Sequence, residues 1–188
     1  MGKAKRIMVA LSGASGMAYA KRLLEVLPSA YETIYVTASD NAVAIAQQEL
    51  GVQSLAEILP GMTLLDSGDM FAPPASGSHD YDGLVVVPCS MGVVGRIASG
   101  VSNDLTTRAA DVCLKERRKL ILVVRETPYN LVQLRNMTML TEAGAVILPA
   151  SPGFYSRPES IGDLVDFVVD RILQTLGLDT RLGKGWGE

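Results

Sequence analysis

The sequence predicts an α/β domain built on a mainly parallel sheet. Three observations carry this. Residues 6–11 form an apolar run that stops at a small-residue turn, Ser12-Gly13-Ala14-Ser15-Gly16. A helical pattern follows, with Tyr19, Leu23, Leu24 and Leu27 on one face. Residues 83–87 are an unbroken apolar run that ends abruptly at Pro88-Cys89-Ser90, as a strand buried on both faces does. Residues 120–124 repeat that pattern and end at Arg125-Glu126-Thr127-Pro128. Strands of this kind alternating with helical segments make crossover-linked parallel sheets.

The totals agree with one domain, 1–188, closed by a tail over 177–188. The chain has 188 residues, and 48% of them are hydrophobic, enough for a full core. A net charge of -3, with acids and bases intermixed, argues against a nucleic-acid surface. No apolar stretch reaches membrane-spanning length, and the basic start runs into a first strand rather than an export signal. Two cysteines make no disulfide framework, and one histidine excludes most histidine-based metal sites; the cytoplasm is the expected compartment.

Each element has its own signals. The first turn would aim backbone N–H groups and a helix N-terminus at a phosphate. Its plainer reading is a strand-to-helix turn capped by Ser15. Residues 32–37 are β-rich and 41–50 helical, with Asp40 as N-cap candidate and Gly51 as stop. Ser39 falls at the carboxyl end of the second strand, where parallel sheets put ligands, or is an ordinary loop serine. A short helix over 53–60 and a brief strand over 62–65 come next. Residues 66–80 form a loop rich in Gly, Pro and Ser that covers a site or meets a neighbouring subunit. His79, without metal-ligand companions, reads as structural or solvent-facing.

Ser90 would lie at the same sheet edge as Ser15 and Ser39, so three strand ends describe one crevice. Cys89 has no histidine beside it and reads as an inert buried thiol. A helix over 93–98 precedes a break at 99–103. Asp104 then caps a helix running from Leu105 to about Arg118. On it, Asp111 stands at i+3 from Arg108 and i-4 from Lys115, a surface ion pattern in the simpler reading and a basic edge for phosphate in the sharper one. Arg125 offers a planar fork to phosphate, and Glu126 beside it would donate a proton. A structural Arg–Glu pair is the alternative. A helix over 131–142, a strand over 145–148 and a stiff turn with Phe154 and Tyr155 follow. The last helix, 161–178, carries Leu164, Val165, Val168, Val169 and Ile172 as its buried stripe. The chain lacks a Walker-type lysine, the full dinucleotide glycine pattern and a clean ribose-binding acid, so FMN fits better than NAD.

Taken in order, Ser12-Gly13-Ala14-Ser15-Gly16, Pro88-Cys89-Ser90, Asp104-Leu105 with Arg108-Ala109-Ala110-Asp111-Val112, Leu114-Lys115-Glu116-Arg117-Arg118, Arg125-Glu126-Thr127-Pro128, Asn136-Met137 and Pro152-Gly153-Phe154-Tyr155 resemble the UbiX/Pad flavin prenyltransferase family over nearly the whole chain. The resemblance implies a three-layer, Rossmann-like, flavodoxin-like sandwich. It implies FMN as cofactor, dimethylallyl phosphate as prenyl donor, no metal, and attachment at flavin N5 and C6. The product would serve a UbiD-like decarboxylase. The expected assembly is a homododecamer built from trimers, with sites between subunits.

Carried over by position, Gly13, Ala14, Ser15, Ser39, Ser90, Met91, Gly92, Val93 and Arg125 would line the FMN site. Ser15 and Glu49 would move protons beside the flavin. Lys115, Arg125, Tyr155 and Arg171 would gather on the donor phosphate from more than one subunit, with Glu126 as its proton donor. Arg108 would belong to the same site, and Trp186 in the tail would cover the prenyl group. Two departures stand out: Gln133 replaces a histidine common in the family, and the loop after Ser90 lacks the usual threonine. Competing readings are an FMN-binding accessory or electron-transfer subunit, and a cysteine-decarboxylase-like flavoprotein, which the lone His79 disfavours.

Overall fold

The computed structural model describes residues 5–179 and 181–183. Six strands, β1 (Arg6–Leu11), β2 (Thr33–Ala38), β3 (Thr63–Leu65), β4 (Gly83–Cys89), β5 (Lys119–Val124) and β6 (Val146–Pro149), form one parallel sheet in the order β3-β2-β1-β4-β5-β6. The order reverses between β1 and β4, which creates a switch point at their carboxyl ends.

Strand periodicity builds two cores. Ile7, Val9 and Leu11 face one side of the sheet, and Met8 and Ala10 the other. Helices α1 (Met17–Val26), α2 (Asp40–Leu50) and α6 (Ile161–Leu176) cover the first face through Leu23, Leu24, Ala42, Ala46, Val169 and Ile172. Helices α3 (Met91–Ala98), α4 (Leu105–Lys115) and α5 (Leu131–Glu142) cover the second through Val94, Ile97, Ala109, Val112 and Leu140. The result is the three-layer sandwich expected.

Several boundaries move, each for a local reason. Helix α3 begins at Met91 because Ser90 occupies the N-cap position. Helix α4 stops at Lys115, since Arg117 turns left-handed (φ 57°) and returns the Arg118 N–H to the Cys113 carbonyl. The helix expected over 53–60 shrinks to a 3-10 turn at Leu55–Ile58. The stripe on α6 starts later and runs to Leu176, with Leu164 and Val165 only partly buried. No helix among the described residues is long and apolar enough to cross a membrane.

Thr37, fully buried on β2, has a hydroxyl without a hydrogen-bond partner among the described residues. Valine has the same shape and no polar atom to desolvate. Thr37→Val is expected to leave unfolding free energy unchanged or raise it by up to about 1 kcal/mol, measured by urea denaturation.

Candidate active site

The carboxyl ends of the central strands are tied into one edge. The Ser39 N–H donates to the Leu11 carbonyl at 3.1 Å, the Arg125 N–H to the Cys89 carbonyl at 3.2 Å, and the Ala150 N–H to the Val124 carbonyl at 2.9 Å. Across the switch point, buried Ser12 donates its hydroxyl to the Pro88 carbonyl and accepts from the Ser90 N–H, both at 2.8 Å. Gly13, Ala14, Ser15, Ser39, Ser90, Met91, Gly92, Val93 and Arg125 all follow the carboxyl ends of β1, β2, β4 and β5 and so belong to one edge of the sheet. The bridging role of Ser12 was not legible in the sequence; only its place before the glycine turn hinted at it. Ser12→Ala would strand the Ser90 N–H. We expect it to cost about 1–3 kcal/mol in urea unfolding and to weaken FMN binding in a fluorescence titration.

The start of α1 is the most charged feature of this edge. Gly16 is the N-cap, with φ 115°, and has no side chain to satisfy the orphan N–H groups beyond it. Neither does Ser15 cap the helix, as the plainer sequence reading had it. Glu49, from the last turn of α2, does so. Its carboxylate accepts from the Gly16 N–H at 2.9 Å and the Met17 N–H at 2.8 Å, and also from the Ser15 hydroxyl. Partial burial pushes the Glu49 carboxyl up. The bonds from Ser15, Gly16 and Met17, with the charge of Arg125, more than offset this and hold it below the usual glutamate value. Glu49, Ser15 and Arg125 thus belong to one electrostatic unit.

Other expected residues have local duties. Ser39, not Asp40, caps α2, accepting from the Ala42 N–H at 3.3 Å. Ser90 makes no such side-chain cap on α3. Glu126 accepts the Thr127 N–H at 2.9 Å, and no ion pair joins it to Arg125 among the described residues. Gln133 closes a capping box with Asn130 at the start of α5. Burial pushes the Cys89 thiol far up, as an inert thiol requires. Tyr155 stacks edge-on against Phe167, and Phe167 and Arg171 line a cavity of about 300 Å³ beside β6. Arg171 also donates to Gln174. Trp186 lies outside the described residues. The tail before it is held to its own chain, with the Leu182 and Gly183 N–H groups bonded to buried Asp170.

One group stands apart. Lys115 ends α4 at the amino end of the sheet and pairs with Glu116, not Asp111. Arg108 pairs with Asp111 at 2.7 Å and donates its Nε to the Ala75 carbonyl. Between Lys115 and Arg125 runs the whole of β5, a rise of roughly 17 Å. A single chain does not bring Lys115 to Arg125. A further partner of these cations, unnoticed in the sequence, is the Ser76-Gly77-Ser78 turn. The Gly77 carbonyl accepts from Arg118 at 2.7 Å, and a Cβ on Gly77 would press on the Glu116 carboxylate and stand 2.6 Å from the Lys115 Nζ, so the turn faces that ion pair. The run of small residues closing a proline-rich loop was the available signal.

This edge of the sheet suits an anionic ligand. The Arg125 Nε is buried without a partner among the described residues, so a charged donor is held in place for an acceptor that these residues do not supply. A Cβ on Gly13 would meet the Asn41 Cβ at 2.8 Å, so the glycine lets the start of α2 pack directly on the turn. These residues fit FMN.

A profile of the Flavoprotein family matches residues 1–173. The flavin prenyltransferase UbiX of Methanocaldococcus jannaschii is 43% identical over 97% of this chain and 98% of its own. That of Thermoplasma acidophilum is 45% identical over 96% and 99%. Among solved structures, AnUbiX (PadA1) in complex with FMN and dimethylallyl pyrophosphate superposes with a TM-score of 0.90 at 40% identity, covering 98% of this chain and all of that one. The dodecameric FMN-dependent UbiX-like decarboxylase of Escherichia coli O157:H7 gives 0.91 at 33% identity over 97% of this chain and all of that one. The cysteine decarboxylase TvaF, at 18% identity and a TM-score of 0.64 over 92% of this chain and 98% of its own, shares the fold alone. With the whole length matched at this identity, the chain belongs to the UbiX/Pad-like flavin prenyltransferase family of flavoproteins.

Proposed function

We propose that this protein transfers the dimethylallyl group of dimethylallyl phosphate to N5 and C6 of reduced FMN, and that the prenylated flavin serves a UbiD-like decarboxylase in the cytoplasm. The observation that carries the reading is the ionised Glu49 bound to Ser15 and the α1 terminus and facing the charge of Arg125. When bound, reduced FMN supplies the nucleophile and an electron-rich ring face. Gly13, Ala14, Ser39, Ser90 and the first turn of α3 hold it at the sheet edge. Breaking the allylic C–O bond builds negative charge on the phosphate. Arg125 meets that charge, joined by Arg108 and Lys115, and Glu126 delivers a proton to the leaving oxygen. Glu49, relayed by Ser15, accepts the ring proton at closure.

The placement of Lys115 supports a site shared between copies in a dodecamer, with Tyr155 and Arg171 also directed at the donor phosphate. Trp186 closes over the prenyl group. An electron carrier would have no use for this second cationic set. The cysteine-decarboxylase reading is disfavoured by His79, which is engaged with Tyr35.

The test is anaerobic incubation with reduced FMN and dimethylallyl phosphate. The expected result is a flavin heavier by one five-carbon unit, with inorganic phosphate released. Unchanged flavin with both ligands bound would overturn the proposal.

A further inference from the structure

Among the contacts that hold the loop between β3 and β4, four surround the Ser76-Gly77-Ser78 turn. Tyr81 donates its hydroxyl to the Pro74 carbonyl at 3.0 Å. Arg108 holds the Ala75 carbonyl at 3.0 Å and Arg118 the Gly77 carbonyl at 2.7 Å. The fourth is His79. Its Nε2 lies 3.2 Å from the Tyr35 hydroxyl on β2, and its backbone N–H closes the turn onto the Ser76 carbonyl at 3.2 Å.

These contacts form a continuous path. The Tyr35 and His79 rings meet edge-on at 5.6 Å between centroids, and His79 and Tyr81 lie 6.2 Å apart. The Arg118 guanidinium sits 4.5 Å over the Tyr81 ring, and its Nη1 is buried without a partner among the described residues. Inside this frame the Ser76 and Ser78 hydroxyls bond each other at 2.8 Å, beside Gly77 and Lys115. The frame fixes where the turn stands relative to the two cations, Arg108 and Lys115, that the proposed reaction assigns to the donor phosphate.

We infer that His79, anchored on Tyr35, is a positioning residue for donor binding: it sets the Ser76-Gly77-Ser78 turn against Lys115. The inference rests on the prenyl-transfer reading. His79 touches neither FMN nor reacting atoms; it acts through the turn. Losing the bond to Tyr35 frees one of the four contacts around the turn, and the turn then samples positions in which Lys115 and the loop no longer converge. Donor affinity falls, while the chemistry of a bound donor and the FMN site at the other end of the sheet stay as they are.

The experiment measures the dissociation constant of dimethylallyl phosphate by calorimetry on the FMN-loaded protein, together with KM, kcat and FMN affinity. His79→Ala and Tyr35→Phe are each expected to raise the donor dissociation constant and KM about fivefold. The kcat should stay within about twofold and FMN affinity unchanged. His79→Gln, whose amide reaches the Nε2 position, should restore donor affinity. Tyr35→Phe keeps the ring packing, so it decides the matter even where His79→Ala folds poorly. Donor affinity and KM equal to wild type in Tyr35→Phe would overturn the inference, as would a fall in kcat alone. Wild-type protein that binds the donor without consuming it would instead overturn the prenyl-transfer reading.

Discussion

Glu49→Gln is expected to lower kcat at least about 100-fold with FMN affinity little changed, read by anaerobic turnover and flavin titration. Three donors converge on this carboxylate: the Ser15 hydroxyl and the Gly16 and Met17 N–H groups. They keep it ionised at neutral pH, the state in which a carboxylate can accept a proton. An amide in the same place can accept a hydrogen bond but not a proton. The substitution also turns an NH₂ toward backbone donors. A stability loss of about 0.5–1 kcal/mol is expected, the size of a solvent-screened charge at a helix start.

That loss has a signed pH dependence. The folded-state Glu49 value lies below the ordinary 4.5. Its stabilisation is therefore present above that ordinary value and lost as pH falls through the folded one. Urea midpoints of wild type and Glu49→Gln should differ at pH 7 and converge in strong acid. A gap that widens on acidification would contradict the assignment, and unchanged turnover would remove Glu49 from the reaction.

Much of this was legible because local patterns and the final geometry agree. Each strand of the sheet announced itself by apolar runs ended by turns, and parallel pairing then forces Ser12, Ser39, Ser90 and Arg125 to one edge. What the sequence hid are the contacts between elements distant in the chain. Glu49 reads as an exposed helix-end acid until α2 is laid beside α1, where it takes over a cap that glycine cannot provide. Ser12 looks like any turn serine until β4 pairs with β1. The Ser76-Gly77-Ser78 turn belongs to a loop without periodicity, and its role depends on three cations from α4 and the turn after it. The helical spacing of Asp111 predicted ion pairs correctly for Arg108 and wrongly for Lys115, because the side chain of Lys115, at the helix end, reaches Glu116 instead.

Mixed oligomers provide the sharpest test of how the site is assembled. Glu49→Gln and Lys115→Ala should each be nearly inactive alone. Co-expressed with different tags and purified through both, they should recover about one quarter of wild-type activity. In a random mixture, half the copies supply an intact Glu49 and half of their neighbours an intact Lys115. The reason is geometric. Lys115 and Arg125 sit at opposite ends of β5, roughly 17 Å apart along the strand, whereas a phosphate oxygen needs its cations within hydrogen-bonding reach. A contact that lays the amino end of one sheet over the carboxyl end of another would bring the two sets together. Were each chain to carry a complete site, every copy in the mixture would hold one lesion and the mixture would stay as inactive as its components. Recovery would also assign Glu49 and Lys115 to different copies without reference to any ligand-bound geometry.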